Sequence, residues 1–146
     1  MASGSLRQVA LLSIKPRYAI PIMDGRKKVE FRKSRPAQDV SHALVYATDP
    51  EQRVLGFFEV SGIVEGTPRN IWAKYGKVGC IEKRLFDEYY AGATKAVAIL
   101  VGAVKRFKSP VRLSAVDASL KAPQSYRYVS ERLFKLVLSK HPRHRS

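Results

Sequence analysis

The run from Val54 to Val64 constrains this chain most. It is rich in β-branched and aromatic residues, the composition of a strand. Gly56 and Gly62 interrupt it. A glycine inside a strand marks a bend or a bulge, and two in one long strand curl a sheet towards closure. Other segments supply partners for such a sheet. Val9 to Ile14 is short, continuous and apolar, as in a strand buried on both faces. His42 to Thr48 reads as another strand, and Asp49-Pro50-Glu51-Gln52 as the turn after it. Ala96 to Val104 is the most apolar run and predicts a central strand, with a short last strand at Val111 to Leu113. Short turns, not regular helical crossovers, join most of these segments, which argues against a doubly wound sheet. No internal repeat is present, so a solenoid is excluded.

Helical segments fill the gaps. Lys15-Pro16 opens a turn or helix, and Tyr18 to Asp24 continues it, shortened by Pro21 and stopped by Gly25. Lys28 to Lys33 is a strand, and Ser34 to Ser41 a loop. Thr67-Pro68 is a cap followed by a first-turn proline, with Ile71, Trp72 and Tyr75 on the apolar side and Gly76 as the stop. Cys80 to Tyr90 predicts a helix that turns Ile81, Leu85 and Tyr89 to the core. A last helix is expected from Gln124 to Ser139, burying Tyr126, Val129, Leu133 and Leu136. Together these predict an α+β fold of one domain over 8–140, a mixed barrel with helices outside, and flexible basic or polar tails at 1–7 and 141–146.

Charge narrows the partner. The 146 residues carry 27 Lys and Arg against 12 Asp and Glu, a formal charge of +15 spread along the chain. Such an excess favours a polyanion, most simply nucleic acid. The single cysteine, Cys80, allows no disulfide within the chain and fits a reducing, cytoplasmic setting. His42, His141 and His144 are not at ligand spacing with it, so neither a metal nor another cofactor is expected. Val9 to Ile14 is too short for a signal segment or a membrane span.

The chemistry gathers in Gly25-Arg26-Lys27-Lys28-Val29-Glu30-Phe31-Arg32. Val29 and Phe31 alternate with Glu30 and Arg32, a strand with one apolar and one polar face. Lys27 is a compact donor for a phosphate or carbonyl, and Arg32 a planar fork for a phosphate or base edge. Glu30 can hold Arg32, accept from an exocyclic amino group such as that of cytosine, or act as a general base. The same spacing also suits a solvated edge strand with a Glu30–Arg32 surface pair. Lys15, Lys28, Lys33 and Arg35 extend a cationic rim. Tyr46, Tyr126 and Tyr128 are aromatic faces on which a base can stack. Gln124 either bonds a base edge or caps a helix. Ser125 has no His and Asp beside it in sequence, so a triad is not supported.

Three patches in order resemble the ASCH domain, of the PUA-like superfamily. Gly25, Lys27, Glu30 and Arg32 match the family's Gly-x-Lys-x-x-Glu-x-Arg signature. Ser13-Ile14-Lys15-Pro16 resembles its first strand end and helix start, and Pro123-Gln124-Ser125-Tyr126-Arg127-Tyr128 its closing segment. The resemblance implies a small barrel flanked by helices, with a cleft at the signature loop suited to RNA or a nucleobase. The nucleic-acid-binding candidates are thus Lys15, Lys27, Lys28, Glu30, Arg32, Lys33, Tyr46, Gln124, Ser125 and Tyr126, and Lys27 and Glu30 are the catalytic candidates in an enzyme. Related activities are ribonuclease and removal of an acyl group from a modified cytidine. In the amidohydrolase branch a threonine nucleophile stands where this chain has Glu30, so that nucleophile is missing. Three readings stand: a binder of RNA or a modified base, a hydrolase of the same fold, and an adaptor whose basic face meets ribosomes or another protein.

Overall fold

The computed structural model describes residues 8–36 and 40–140. The expected tails, and residues 37–39 of the expected loop, lie outside the described residues. In chain order the elements are β1 (Gln8–Ile14), α1 (Pro16–Met23), β2 (Val29–Arg32), β3 (Val40–Ala47), β4 (Arg53–Gly66), α2 (Pro68–Tyr75), a 3-10 turn (Gly76–Val78), α3 (Lys83–Tyr89), β5 (Ala96–Val111), α4 (Leu113–Val116), β6 (Tyr126–Val129) and α5 (Glu131–Lys140). The fold is α+β, as expected. Its six strands form one sheet in the order β2-β5-β4-β3-β1-β6. β1 and β3 are parallel, and the other neighbours are antiparallel.

The sheet curls but does not close, because no ladder joins its edges β2 and β6. The curl comes from β4 and β5, whose register shifts between Val54 and Gly56, Phe58 and Val60, and Val60 and Gly62. Each shift adds local twist and bend. Gly56 is needed for close approach: a Cβ there would stand 2.2 Å from the Lys105 carbonyl oxygen and 2.8 Å from Met23 Sδ of α1.

Alternation along the strands sorts the apolar residues into cores. Ala10, Leu12, Val45, Phe58, Val97 and Ile99 face the inside of the curl, where α1 packs Ala19 and Ile22 against them. Val9, Leu11, Leu44, Tyr46 and Phe107 face the other way, under Phe134 and Val137 of α5. Val29, Phe31, Ala96 and Ala98 meet Ile71 of α2 and Phe86 and Tyr90 at α3. Full burial of each large side chain contributes about 1.5–3 kcal/mol.

Several local expectations change. β5 runs through to Val111 and absorbs the separate last strand. Tyr126 to Val129 pairs antiparallel with Val9 to Leu12, so the predicted start of the last helix is an edge strand. Pairing with β1 outweighs the local helical pattern there. α3 begins at Lys83, after Cys80 in a left-handed conformation (φ 49°). It buries Phe86, and Tyr90 just beyond its end is buried too, while Tyr89 is 39% exposed.

Candidate functional site

The signature begins as a helix stop. Gly25, with φ 84°, lets the chain reverse after α1. Its N–H donates to the Ile22 carbonyl (3.1 Å) and that of Arg26 to the Pro21 carbonyl (3.0 Å), the paired bonds of a Schellman motif. The Lys27 N–H donates to the Pro21 carbonyl as well (3.0 Å), which fixes the backbone of Lys27 against the helix end. β2 then pairs Glu30 with Ile99 and Arg32 with Val97. Residues directly opposite in a ladder share a face. Glu30 and Arg32 therefore project into the curl, beside the inner core, and not onto a solvated face.

Lys27, Glu30 and Arg32 are 2%, 7% and 8% exposed, the buried polar or charged residues among those described. The surface pair that the spacing also allowed is thus corrected to a buried one. Arg32 spans the open seam of the sheet. One terminal nitrogen donates to Ser125 Oγ (3.0 Å) and lies 3.5 Å from the Ser125 carbonyl oxygen, and the other donates to the Ser13 carbonyl (2.9 Å). Its Nε is 3.1 Å from Glu30 Oε2, within ion-pair distance but off the line of a hydrogen bond. The Tyr90 hydroxyl donates to the Arg32 carbonyl (2.8 Å). Burial pushes the Tyr90 hydroxyl pKa up, which keeps it a donor.

Lys27 Nζ donates to the Gly79 carbonyl and lies 5.1 Å from the ring centres of Tyr18 and Phe31. Burial lowers its pKa below the ordinary lysine value, against the opposing pull of Glu30. These groups line an open cleft of about 560 Å³ at the seam, between α1, β2, α3 and residues 124–125. Lys15, Gln124 and Ser125 line it too, as do Arg17, Tyr18, Thr48, Ile81, Leu85, Glu88 and Tyr89, which the sequence reading did not assign to the site. The period-four stripe of Ile81, Leu85 and Tyr89 lines the cleft, and of the three Ile81 also packs against the core beside Phe86.

Other candidates stand apart. Lys28 and Lys33 are exposed and do not line the cleft. Lys33 Nζ sits 4.8 Å from the Tyr89 ring centre, at the rim. Tyr46 is 9% exposed and belongs to the outer core. Tyr126 packs against the inner core and Tyr128, outside the cleft lining. A separate groove of about 400 Å³ runs past Asp117, Arg127 and Arg132 to Leu133, with none of the buried charges. Among the described residues no group of three His, Cys, Asp or Glu is placed to hold a metal ion. No helix there is long and apolar enough to cross a membrane.

A curled mixed sheet with helices outside and a charged cleft at its seam is a PUA-like fold. The ASCH domain family model matches residues 12–110, and the chain belongs to that family. A Zymomonas mobilis protein named as an ASCH domain-containing ribonuclease is 32% identical over 139 residues, covering 90% of this chain and 91% of that one. The crystal structure of ASCH from Zymomonas mobilis matches with a TM-score of 0.85 and 28% identity, over 92% of this chain and 96% of that one. A Ureaplasma parvum protein named as a large ribosomal subunit protein is 32% identical over 123 residues, which is 84% of this chain and 39% of that longer one.

Proposed function

We propose that the protein binds single-stranded RNA, taking one nucleotide into the cleft at the seam of its sheet. The carrying observation is the convergence of Lys27, Glu30 and Arg32, the buried charged side chains among the described residues, on one open cleft. Buried charges are costly, and their concentration in a cleft marks a site of function more often than one of stability. Tyr18, Phe31 and Tyr89 add aromatic walls, and Lys15 and Arg17 add positive charge at the mouth. The net charge of +15 supplies long-range attraction. The lone Cys80, free and exposed, suits a reducing, cytoplasmic setting.

Binding of a labelled single-stranded RNA tests this reading. Log affinity is expected to fall with log salt at a slope of about −0.7 for each phosphate neutralised. Lys28→Ala and Lys33→Ala remove rim charge, so they weaken all RNA sequences alike and flatten the slope. A slope near zero would remove nucleic acid as the partner.

A second reading, cleavage of the bound RNA, is favoured by the name of the Zymomonas relative. The Glu30 carboxylate can take the proton of a ribose 2′-hydroxyl as its oxygen attacks the adjacent phosphorus, and the Lys27 ammonium can give one to the departing 5′-oxygen. The products would then be a 2′,3′-cyclic phosphate and a free 5′-hydroxyl. Cleavage of RNA but not of DNA, lost in Lys27→Met, is the expected result. Equal cleavage of both polymers would contradict a 2′-hydroxyl mechanism.

A further inference from the structure

We infer that the floor of the cleft receives an internal phosphodiester of the bound strand, on Lys27, while the base lies nearer the mouth beside Tyr89. This inference rests on the RNA reading above and adds which part of the nucleotide goes where.

The buried set has two cations, Lys27 and Arg32, and one anion, Glu30. Arg32 is committed to the protein. Its terminal nitrogens serve Ser13 and Ser125, and its Nε faces Glu30. Lys27 is not. No carboxylate among the described residues lies within ion-pair distance of it, and its hydrogen-bond acceptor there is the Gly79 carbonyl. An ammonium has three protons to donate. The rings of Tyr18 and Phe31 flank Nζ without offering it a lone pair. Two donor directions and one unit of positive charge are left at the floor.

The ligand that completes this set has acceptor oxygens and a single negative charge. A phosphodiester has both. A neutral base edge would engage the donors but leave the charge unmatched, in surroundings where an unmatched charge is expensive. A terminal phosphate, with close to two charges, would overshoot and also face Glu30. At the mouth, Tyr89 is 39% exposed and continues the apolar wall of Ile81 and Leu85. That wall suits the flat face of a base.

The test compares a 2′-O-methyl dinucleoside monophosphate with its methylphosphonate, which keeps shape and bases but carries no charge. Affinities are read from chemical-shift titrations of the wild-type protein at about 0.15 M and about 1 M salt. The diester is expected to bind about tenfold more tightly, the worth of a charge-assisted hydrogen bond. It should keep most of that advantage at the higher salt, because a buried contact is poorly screened. Lys27→Met should abolish the difference, and the wild-type comparison stands by itself should that variant not fold. Equal affinities, or an advantage that vanishes in high salt, overturn the floor assignment while leaving RNA binding intact. Absence of binding by longer single-stranded RNA as well removes the RNA reading and this inference together.

Discussion

Arg32→Ala is expected to destabilise the fold by about 3–5 kcal/mol, the cost of breaking a buried ion pair and leaving one partner uncompensated. The side chains of Arg32 and Glu30 are 10% and 9% exposed, so solvent offers Glu30 little relief. The loss is more than electrostatic. The guanidinium is the link from edge strand β2 to Ser13 and Ser125 across a seam that no ladder closes. Without it, the segment carrying Gln124 and Ser125 keeps the Ser13 Oγ bond to the Pro123 carbonyl (2.6 Å) and the Ser13 N–H bond to the Ser125 carbonyl (2.9 Å). RNA affinity should fall as that wall of the cleft loses its tie to β2. Arg32→Lys restores charge without the planar fork and should recover only part of the stability. Combining Glu30→Leu with Arg32→Met replaces the pair by apolar groups of similar size, which is often neutral for buried pairs. That double variant is expected to regain most of the stability but not the part of the RNA affinity that is lost with Arg32→Ala. Urea denaturation and RNA titration on the same samples separate the two effects. A loss under about 1 kcal/mol for Arg32→Ala is the size of a surface pair, and would show that packing alone holds the seam.

The sequence reveals the local parts of this arrangement and hides the assembled ones. Gly25 announces a helix stop because a positive φ is a property of one residue. Thr67-Pro68 announces a helix start for the same kind of reason, and the Thr67 hydroxyl indeed accepts from the Asn70 N–H (3.1 Å). The alternation of Val29, Glu30, Phe31 and Arg32 identifies a strand with two unlike faces. It cannot reveal that the polar face points inward. That depends on pairing β2 with β5, a strand some seventy residues away, and on the curl set by the shifts in β4. Gln124 is a candidate by its amide and Ser125 through a family resemblance, and the bond from Arg32 to Ser125 is again non-local. Tyr126 to Val129 read as helix because its spacing suits one, and the free edge of β1 decided otherwise. An apolar stripe shows that a surface is covered or used, without saying by what. Tyr46 and Tyr89 illustrate this, one in the core and one at a cleft.

The two faces of α3 are expected to separate cleanly under mutation. Phe86 is 1% exposed, with the rings of Phe31, Trp72 and Tyr90 at 5.0, 4.9 and 4.7 Å. Removing it leaves a cavity among aromatic neighbours that cannot collapse far, and Phe86→Ala should cost about 3–5 kcal/mol. Tyr89, on the adjoining face, is exposed, with Lys33 near its ring. Truncation removes its edge-on contact with Tyr90 (4.7 Å) from a half-exposed position, so Tyr89→Ala should cost about 1 kcal/mol of stability, well below Phe86→Ala. Its effect on RNA should be the larger one, about 1–3 kcal/mol if one base stacks there. Tyr89→Phe keeps the ring and should preserve affinity, which distinguishes stacking from a hydroxyl contact. Thermal or urea unfolding gives one axis and RNA titration of the folded protein the other. The reversed result, Tyr89→Ala unfolding the protein while Phe86→Ala is mild, would mean that α3 turns Leu85 and Tyr89 to the core in solution, as the spacing alone predicts. The cleft would then lose its apolar wall, and the placement of a base at its mouth would fall with it.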